Sequence, residues 1–207
     1  MHLKRRAIPK TWPLPKKGTK YVVVPSEKGL PILIAIRDIL KLAENKREVK
    51  KILNNKNVFV NNRMVRDIKF ALKLFDVLKL KDKLYRLTIK NKKFYLENIN
   101  EKEAETKIAK IIGKKILKGK KIQINLNDGR NYFTKQDFKV GDSVLIDFKE
   151  GIKRFIELKE KAKVFVEKGK HIGKIGIIEK INNKLAEIKL DNKEKINVNL
   201  DALIALE

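Results

Sequence analysis

The chain has 207 residues, 43% of them hydrophobic, with 51 Lys and Arg against 25 Asp and Glu, a formal charge of +26 and no cysteine. The missing cysteines exclude a disulfide framework, a cysteine-based zinc finger or ribbon and a thiol nucleophile. No apolar run approaches the roughly 20 residues of a membrane span, and Met1 is followed by charge rather than by a signal-peptide core, so a cytoplasmic location is expected. A genome that favours Lys over Arg would favour Glu as well, so composition bias leaves the charge imbalance unexplained. A free globule of this charge repels itself, and the sequence implies a polyanion that neutralises it. Nucleic acid is the expected partner, because its phosphates form a dense row of negative charge with counterions to release. His2 and His171 are too few and too far apart for a metal site, and no cofactor is expected.

Before Glu27 there is no acidic residue, yet Lys4, Arg5, Arg6, Lys10, Lys16, Lys17 and Lys20 stand there, spaced by Pro9, Pro13 and Pro15 and by Trp12. Residues 1–31 are therefore expected to form a basic, extended arm that orders on RNA, with Trp12 or Tyr21 stacking on bases or anchoring the arm to its own domain. Ile32 to Glu44 reads as a helix, since Leu33, Ile36, Leu40 and Ala43 recur at helical spacing. Asn45 with Glu48 resembles a capping box, so a second helix is expected from Lys46. Its faces separate, with Arg47, Lys50 and Lys51 on one side and Val49, Ile52 and Leu53 on the other. One face packs and the other, with Lys46, is free for phosphate.

Val58 to Val60, the pair Asn61-Asn62 and then Arg63 to Arg66 read as a hairpin, because Asn tolerates the positive φ of a tight turn. Arg63 and Arg66 are expected on the return strand, and Asp76 to Leu80 offers a further strand. From Leu84 the pattern is mainly β, interrupted by a helix from Glu101 to Lys110. Ile122, Ile124 and Leu126 alternate, Asp128-Gly129 signals a turn, and Gly141-Asp142 precedes a strand from Val144 to Phe148. Lys163 to Val166 and Ile175 to Ile181 bracket a glycine-rich bend. Asn182-Asn183 and Asp191-Asn192 then turn strands Leu185 to Leu190 and Lys195 to Val198 into a five-stranded mini-barrel. Gly169, Gly173 and Gly176 let the backbone bend, while Lys168, Lys170, His171 and Lys174 are displayed from it.

The expected fold class is α+β and multidomain. It comprises a basic arm (1–31), a small α+β RNA-binding module (32–82), a central β-barrel-like domain (83–160) and a C-terminal SH3-like barrel (161–207). Leu3-Lys4-Arg5 with Ala7, Pro9-Lys10 and Trp12 resembles the N-terminal signature of the archaeal and eukaryotic small-subunit ribosomal protein family S4e. Arg47 to Leu53, with Val60-Asn61-Asn62 and Val65-Arg66-Asp67, resembles that family's S4-type RNA-binding domain. Asp128-Gly129-Arg130 falls where the family's central domain has such a turn, and Lys163 to Ile178 is similar to a KOW motif. Two positions depart from the pattern: Asn62 stands where such hairpins usually carry Gly, and Phe75 where many modules of this type have Gly. The resemblance implies a structural ribosomal protein, working in translation and located in the cytoplasmic ribosome. It implies partners in ribosomal RNA, in the 5′ domain of the small-subunit body, and in neighbouring ribosomal proteins. No membrane and no small-molecule substrate is implied.

The competing classes are an RNA-modifying enzyme and a KOW-bearing biogenesis or transcription factor. An enzyme of the first kind needs a catalytic Asp, and the nearest candidate, Asp128, reads as a turn residue. Gly113 to Gly119-Lys120 and Gly169 to Gly173-Lys174 both have the wrong spacing and the wrong following residue for a phosphate loop. Two histidines so placed suggest no nucleophilic triad, and no catalysis is expected.

Overall fold

The computed structural model describes residues 2–117, 121–134, 136, 138–190 and 194–206. They fall into two units, Met1–Glu105 and Thr106–Glu207, each with its own core. The turn expected at Asp191-Asn192, and the end of the Gly113–Lys120 stretch, lie outside the described residues.

The first unit opens with the arm, which is folded rather than extended. Strand β1 (Leu3–Lys4) pairs antiparallel with β2 (Tyr21–Val22), closing residues 5–20 into a loop. Its apolar residues explain the correction: Trp12, 3% exposed, and Leu14 enter the core of the unit. A side chain as large as Trp stabilises by about 3 kcal/mol or more when buried, which with Leu14 and the β1–β2 pairing helps to offset the entropy of ordering a segment that its prolines already stiffen. Arg5 then clamps the loop, donating from Nε to Thr19 O at 2.8 Å, from Nη1 to Pro15 O at 3.0 Å and from Nη2 to Thr19 Oγ1 at 2.9 Å.

Strand β3 (Leu30–Pro31) leads into α1 (Ile32–Ile34), which widens into a π turn over Ala35–Ile39. The helix is shorter than the spacing suggests. It stops at Leu40 because Lys41 takes φ 53°, although Ala43 is still buried. Helix α2 (Lys46–Asn54) begins as expected: Asn45 Oδ1 accepts from Arg47 N at 2.9 Å and Glu48 N at 3.0 Å. Glu48 reaches back to the Glu44 backbone N–H at 2.8 Å. A cap of this kind contributes about 1 kcal/mol.

Strands β4 (Val58–Val60) and β5 (Arg63–Met64) form the hairpin, with Asn61 at φ 49° and Asn62 at φ 63° in the left-handed region. Arg66 lies beyond the return strand, which ends at Met64. After β6 (Ala71–Leu72), which pairs with β3, the chain turns at Phe75, whose φ of 62° is rare for a bulky residue. Asn61 donates from Nδ2 to Asp76 Oδ1 at 2.7 Å and accepts from Val77 N at 2.9 Å. A buried polar link thus fixes the hairpin to the next strand.

That strand, β7 (Val77–Leu80), pairs with β8 (Lys83–Lys90), and β8 pairs with β9 (Lys93–Asn98), giving a sheet of order β5-β4-β7-β8-β9. The boundary expected at 82/83 therefore falls inside one hydrogen-bonded sheet, where Leu78 faces Tyr85 and Val77 faces Arg86. The unit runs on to Glu105. Helix α3 (Glu101–Ala104) is a single turn, and the helix expected to reach Lys110 is instead strand from Thr106.

In the second unit, β10 (Thr106–Ile116) is long enough to pair with two partners. These are β11 (Ile122–Leu126) at one end and, at the other, β13 (Ser143–Asp147), which follows β12 (Asn131–Thr134). With β14 (Gly151–Ile156) the order is β12-β11-β10-β13-β14 around Ile111, Ile124, Leu126, Phe138, Val144 and Ile146. The sheet is curled, since a Cβ on Gly151 of β14 would lie 3.9 Å from Tyr132 of β12.

The last sheet comprises β15 (Lys163–Val166), β16 (Ile175–Asn182), β17 (Leu185–Leu190), β18 (Lys195–Asn199) and β19 (Leu203–Ala205), in order β18-β17-β16-β15-β19. Only glycine fits at Gly176, where a Cβ would lie 2.5 Å from Lys189 O. Polar contacts join this sheet to the central one. Lys110 Nζ donates to Leu200 O at 2.8 Å and Asp201 O at 2.9 Å, and Ser143 Oγ accepts from Ala205 N at 2.9 Å. Burial pushes the Lys110 ammonium below its ordinary pKa, against the pull of Glu167 and Asp201.

Candidate nucleic-acid interface

The arm loop turns its cations outward. Lys4, Arg6, Lys10, Lys16, Lys17 and Lys20 are exposed, whereas Arg5 is half-buried because its guanidinium holds the loop shut. Lys4, Arg5, Arg6, Lys16, Lys17 and Lys20, with Gly18 and Thr19, line a cleft of about 550 Å³ without an acidic wall. A concave surface of one sign focuses its field, so anions concentrate there.

A second cleft of about 470 Å³ connects the arm to the helices of the same unit. His2, Arg5 and Tyr21 line it from the arm, Arg37, Lys46 and Lys69 from the domain beneath. Tyr21 is exposed, lies 5.3 Å from the His2 ring and carries Lys20 Nζ at 5.5 Å from its centroid. An aromatic face edged by cations suits a base and its phosphate. Trp12, also expected to be available for stacking, is in the core instead and offers no face to a base.

Helix α2 presents Lys46, Arg47, Lys50 and Lys51 to solvent while Val49 and Leu53 are buried. Its acidic residue, Glu48, is turned to the capping contacts. Beside it in the chain, the hairpin exposes Arg63 on β5 and Arg66 just after it. Arg37 and Lys69 were missed in the sequence: Arg37 sat inside a helix pattern and beside Asp38, which it bridges at 2.9 Å, and Lys69 sat in a stretch with no periodicity.

The C-terminal bend differs. Gly169 takes φ 92° and Gly173 φ 85°, and a Cβ at Gly169 would meet nothing within 4 Å, so that turn is open. Lys168 and Lys170 are exposed and His171 is half-buried. Lys174 is exposed too, but its Nζ lies 3.5 Å from Glu194 Oε2, which partly neutralises it.

Asp128 is not poised for chemistry. Its Oδ2 accepts from Lys107 Nζ at 2.9 Å, both side chains being almost wholly buried, and its Oδ1 accepts from Arg130 N at 2.9 Å in the turn. Burial pushes the carboxyl up, but the Lys107 ammonium, the Arg130 N–H and the Arg130 guanidinium outweigh it and hold the pKa below its ordinary value. A carboxylate so held stays ionised and acts as a strut. Among the described residues no group of His, Asp and Glu is placed to hold a metal ion, and no helix is long and apolar enough to cross a membrane.

Comparison with known proteins agrees with the fold. The family model described as Ribosomal family S4e matches residues 81–152. The small ribosomal subunit protein eS4 of Nanoarchaeum equitans is 38% identical over 191 residues, covering 87% of this chain and 82% of the relative. That of Methanothermobacter thermautotrophicus is 39% identical over 87% of this chain and 79% of its own. The crystal structure of the 30S ribosomal protein S4e from Thermoplasma acidophilum matches with a TM-score of 0.76 and 28% identity, over 87% of this chain and 96% of that one. Fold, surface and matches define the class as a ribosomal protein, structural and not enzymatic. Within that class, the chain belongs to the S4e family.

Proposed function

We propose that this chain is a structural constituent of the small ribosomal subunit, in the cytoplasm, that binds ribosomal RNA of the 5′ domain in the subunit body and helps it fold during assembly. Within this reading, residues 32–98 act as an S4-type RNA-binding domain extended by β8 and β9, and the last sheet acts as a KOW domain. The RNA-contacting set is Lys4, Arg5, Arg6, Lys10, Lys16 and Lys17 on the arm, Lys46, Arg47, Lys50 and Lys51 on α2, and Arg63 and Arg66 on the hairpin. Lys168, Gly169, Lys170, His171 and Lys174 supply the bend. Neighbouring ribosomal proteins are its other partners.

The observation that carries the reading is the arm cleft: six cationic side chains gathered around a folded loop with no acid among them. Such a surface repels itself unless phosphates fill it. The Lys-rich inventory favours recognition of RNA shape over base-edge readout, because an ammonium is a point charge without the fork of a guanidinium. The test is a sucrose gradient of native extract with detection of this chain after a high-salt wash. Stoichiometric retention in mature small subunits is expected. Presence only in precursor particles, or at the top of the gradient, would replace the reading with that of a transient assembly or transcription factor.

A further inference from the structure

The curled central sheet has a face that none of the contacts above use. Strands β10, β11 and β12 lie side by side there, and register puts Gly113, Asn125 and Asn131 in one row and Lys115, Gln123 and Phe133 in the next. The opposite face carries Ile124 and Leu126 into the core. Phe133 is therefore directed away from the core, and it is 65% exposed on the edge strand. Gly113, at an irregularity of β10 between Ile111 and Gly113, leaves the row low beside Asn125, whose Nδ2 a Cβ there would meet in ordinary contact at 3.4 Å.

We infer that this face is a docking platform for one unpaired RNA base, with Phe133 as the stacking ring, Gln123 and Asn125 or Asn131 facing the base edge, and Lys115 taking the adjoining phosphate. The inference rests on the rRNA-binding reading and extends it to a surface with no assigned role. Gln123 is the cross-strand neighbour of Phe133 at about 5 Å and Lys115 lies one strand further, roughly 10 Å away, a separation that a nucleotide spans. Gln123 Nε2 already donates to Asn125 Oδ1 at 3.1 Å, which orients both amides on the face.

Chemistry selects RNA over other occupants. From Thr106 to Thr134 the chain has seven Lys and Arg130 against Asp128 alone, and Asp128 is held by Lys107. A second copy, at formal charge +26, is repelled. A protein partner requires an apolar centre of several contiguous side chains, whereas Phe133 stands among amides and lysine. A base has apolar faces, polar edges and an anionic tether, which is the same pattern in complement.

The test uses the full chain and a transcript of the small-subunit 5′ domain, with circular dichroism confirming the fold of each variant. Phe133→Ala and Phe133→Leu should both weaken binding, each by about tenfold, and Phe133→Tyr should restore it to within about twofold, because stacking needs a ring and not just apolar area. Phe133→Trp should bind normally and show RNA-dependent quenching of its fluorescence beyond that of the parent's Trp12. Affinity kept by the Leu variant but not by the Tyr variant would mean that apolar area and not a stacking ring matters there, and would overturn the platform. Normal binding of all four variants, with unquenched emission from the introduced indole, would also overturn it while leaving the rRNA reading intact. No binding by the parent chain would instead sink the rRNA reading itself.

Discussion

The arm and α2 in the first unit, and the buried and paired lysines of the second, treat positive charge in opposite ways. Over residues 1–60 fifteen Lys and Arg face four acids, and the arm and α2 hold their cations on fixed surfaces turned to solvent. In the second unit some cations are matched with acceptors of the same chain. Lys107 meets Asp128 in the core, Lys110 meets the carbonyls of Leu200 and Asp201, and Lys195 meets Glu179 and Glu187 at the surface. Over residues 161–207 ten Lys face seven acids. Lysine count alone thus says little about function. What matters is whether a lysine already has a partner in its own chain.

The largest effect should come from the buried pair. Asp128→Ala leaves the Lys107 ammonium inside the curled sheet without its carboxylate and should destabilise the second unit by about 3–5 kcal/mol, read as the urea midpoint of unfolding. The same carboxyl makes the parent acid-sensitive. Its folded pKa is lowered, so its stabilisation is present above the unfolded value of about 3.9 and is lost as pH falls through the folded one. Asp128→Asn should remove that sensitivity, and an unchanged acid limb would break the assignment of Lys107 as a structural cation.

Next come the displayed charges. Replacing Lys4, Lys10, Lys16 and Lys17 together by Gln should leave the clamp at Arg5 in place and lower affinity for 5′-domain RNA on the order of 100-fold at about 0.1 M salt. The slope of log affinity against log salt should flatten by roughly three units. Filter binding across a salt series measures both, and a slope unchanged by the substitutions would remove the arm from the interface.

A smaller change separates position from charge. Arg47, Lys50 and Lys51 all changed to Gln should weaken binding about tenfold, with helicity kept because Gln is a comparable helix former. Changing Lys180, Lys184 and Lys189, exposed on and between β16 and β17, lowers net charge equally and should cost less than about threefold. Equal losses would show that α2 has no privileged role. The smallest effect is expected at Glu179→Gln, which weakens a surface pair with the exposed Lys195. The thermal midpoint should not move, because solvent and salt screen such a pair.

The parts of the fold legible in the sequence were those fixed by neighbours in the chain. Asn45 and Glu48 announced α2, Asn61-Asn62 announced the hairpin, and the alternation of Ile122, Ile124 and Leu126 announced β11. The departures noted at Asn62 and Phe75 were legible too: both positions, where glycine is usual, take positive φ. What escaped was decided across long separations. Lys107 reads as a surface residue until Asp128 is found opposite it, and so Thr106 to Lys110 passed for helix. Leu84 to Asn98 passed for the start of a new domain, since nothing local says that β8 pairs back onto β7. Of the interface, the cationic residues were named from the sequence. Their clefts were not, and the choice between stacking and anchoring for Trp12, left open by the sequence, was made only by where the arm packs.

The arm's anchorage carries a consequence for the order of events during synthesis. Thr11 O accepts from Phe94 N at 2.8 Å, and Trp12 and Leu14 share a core with Leu96 of β9. The acid-free arm is synthesised before the strand that holds it, which follows some eighty residues later, roughly 4–16 s at typical rates of translation. For that interval the nascent arm is an unanchored polycation in a cell full of RNA. Protection of the newborn segment, by rapid capture or by a chaperone that masks its lysines, is therefore a requirement set by chain order as much as by charge.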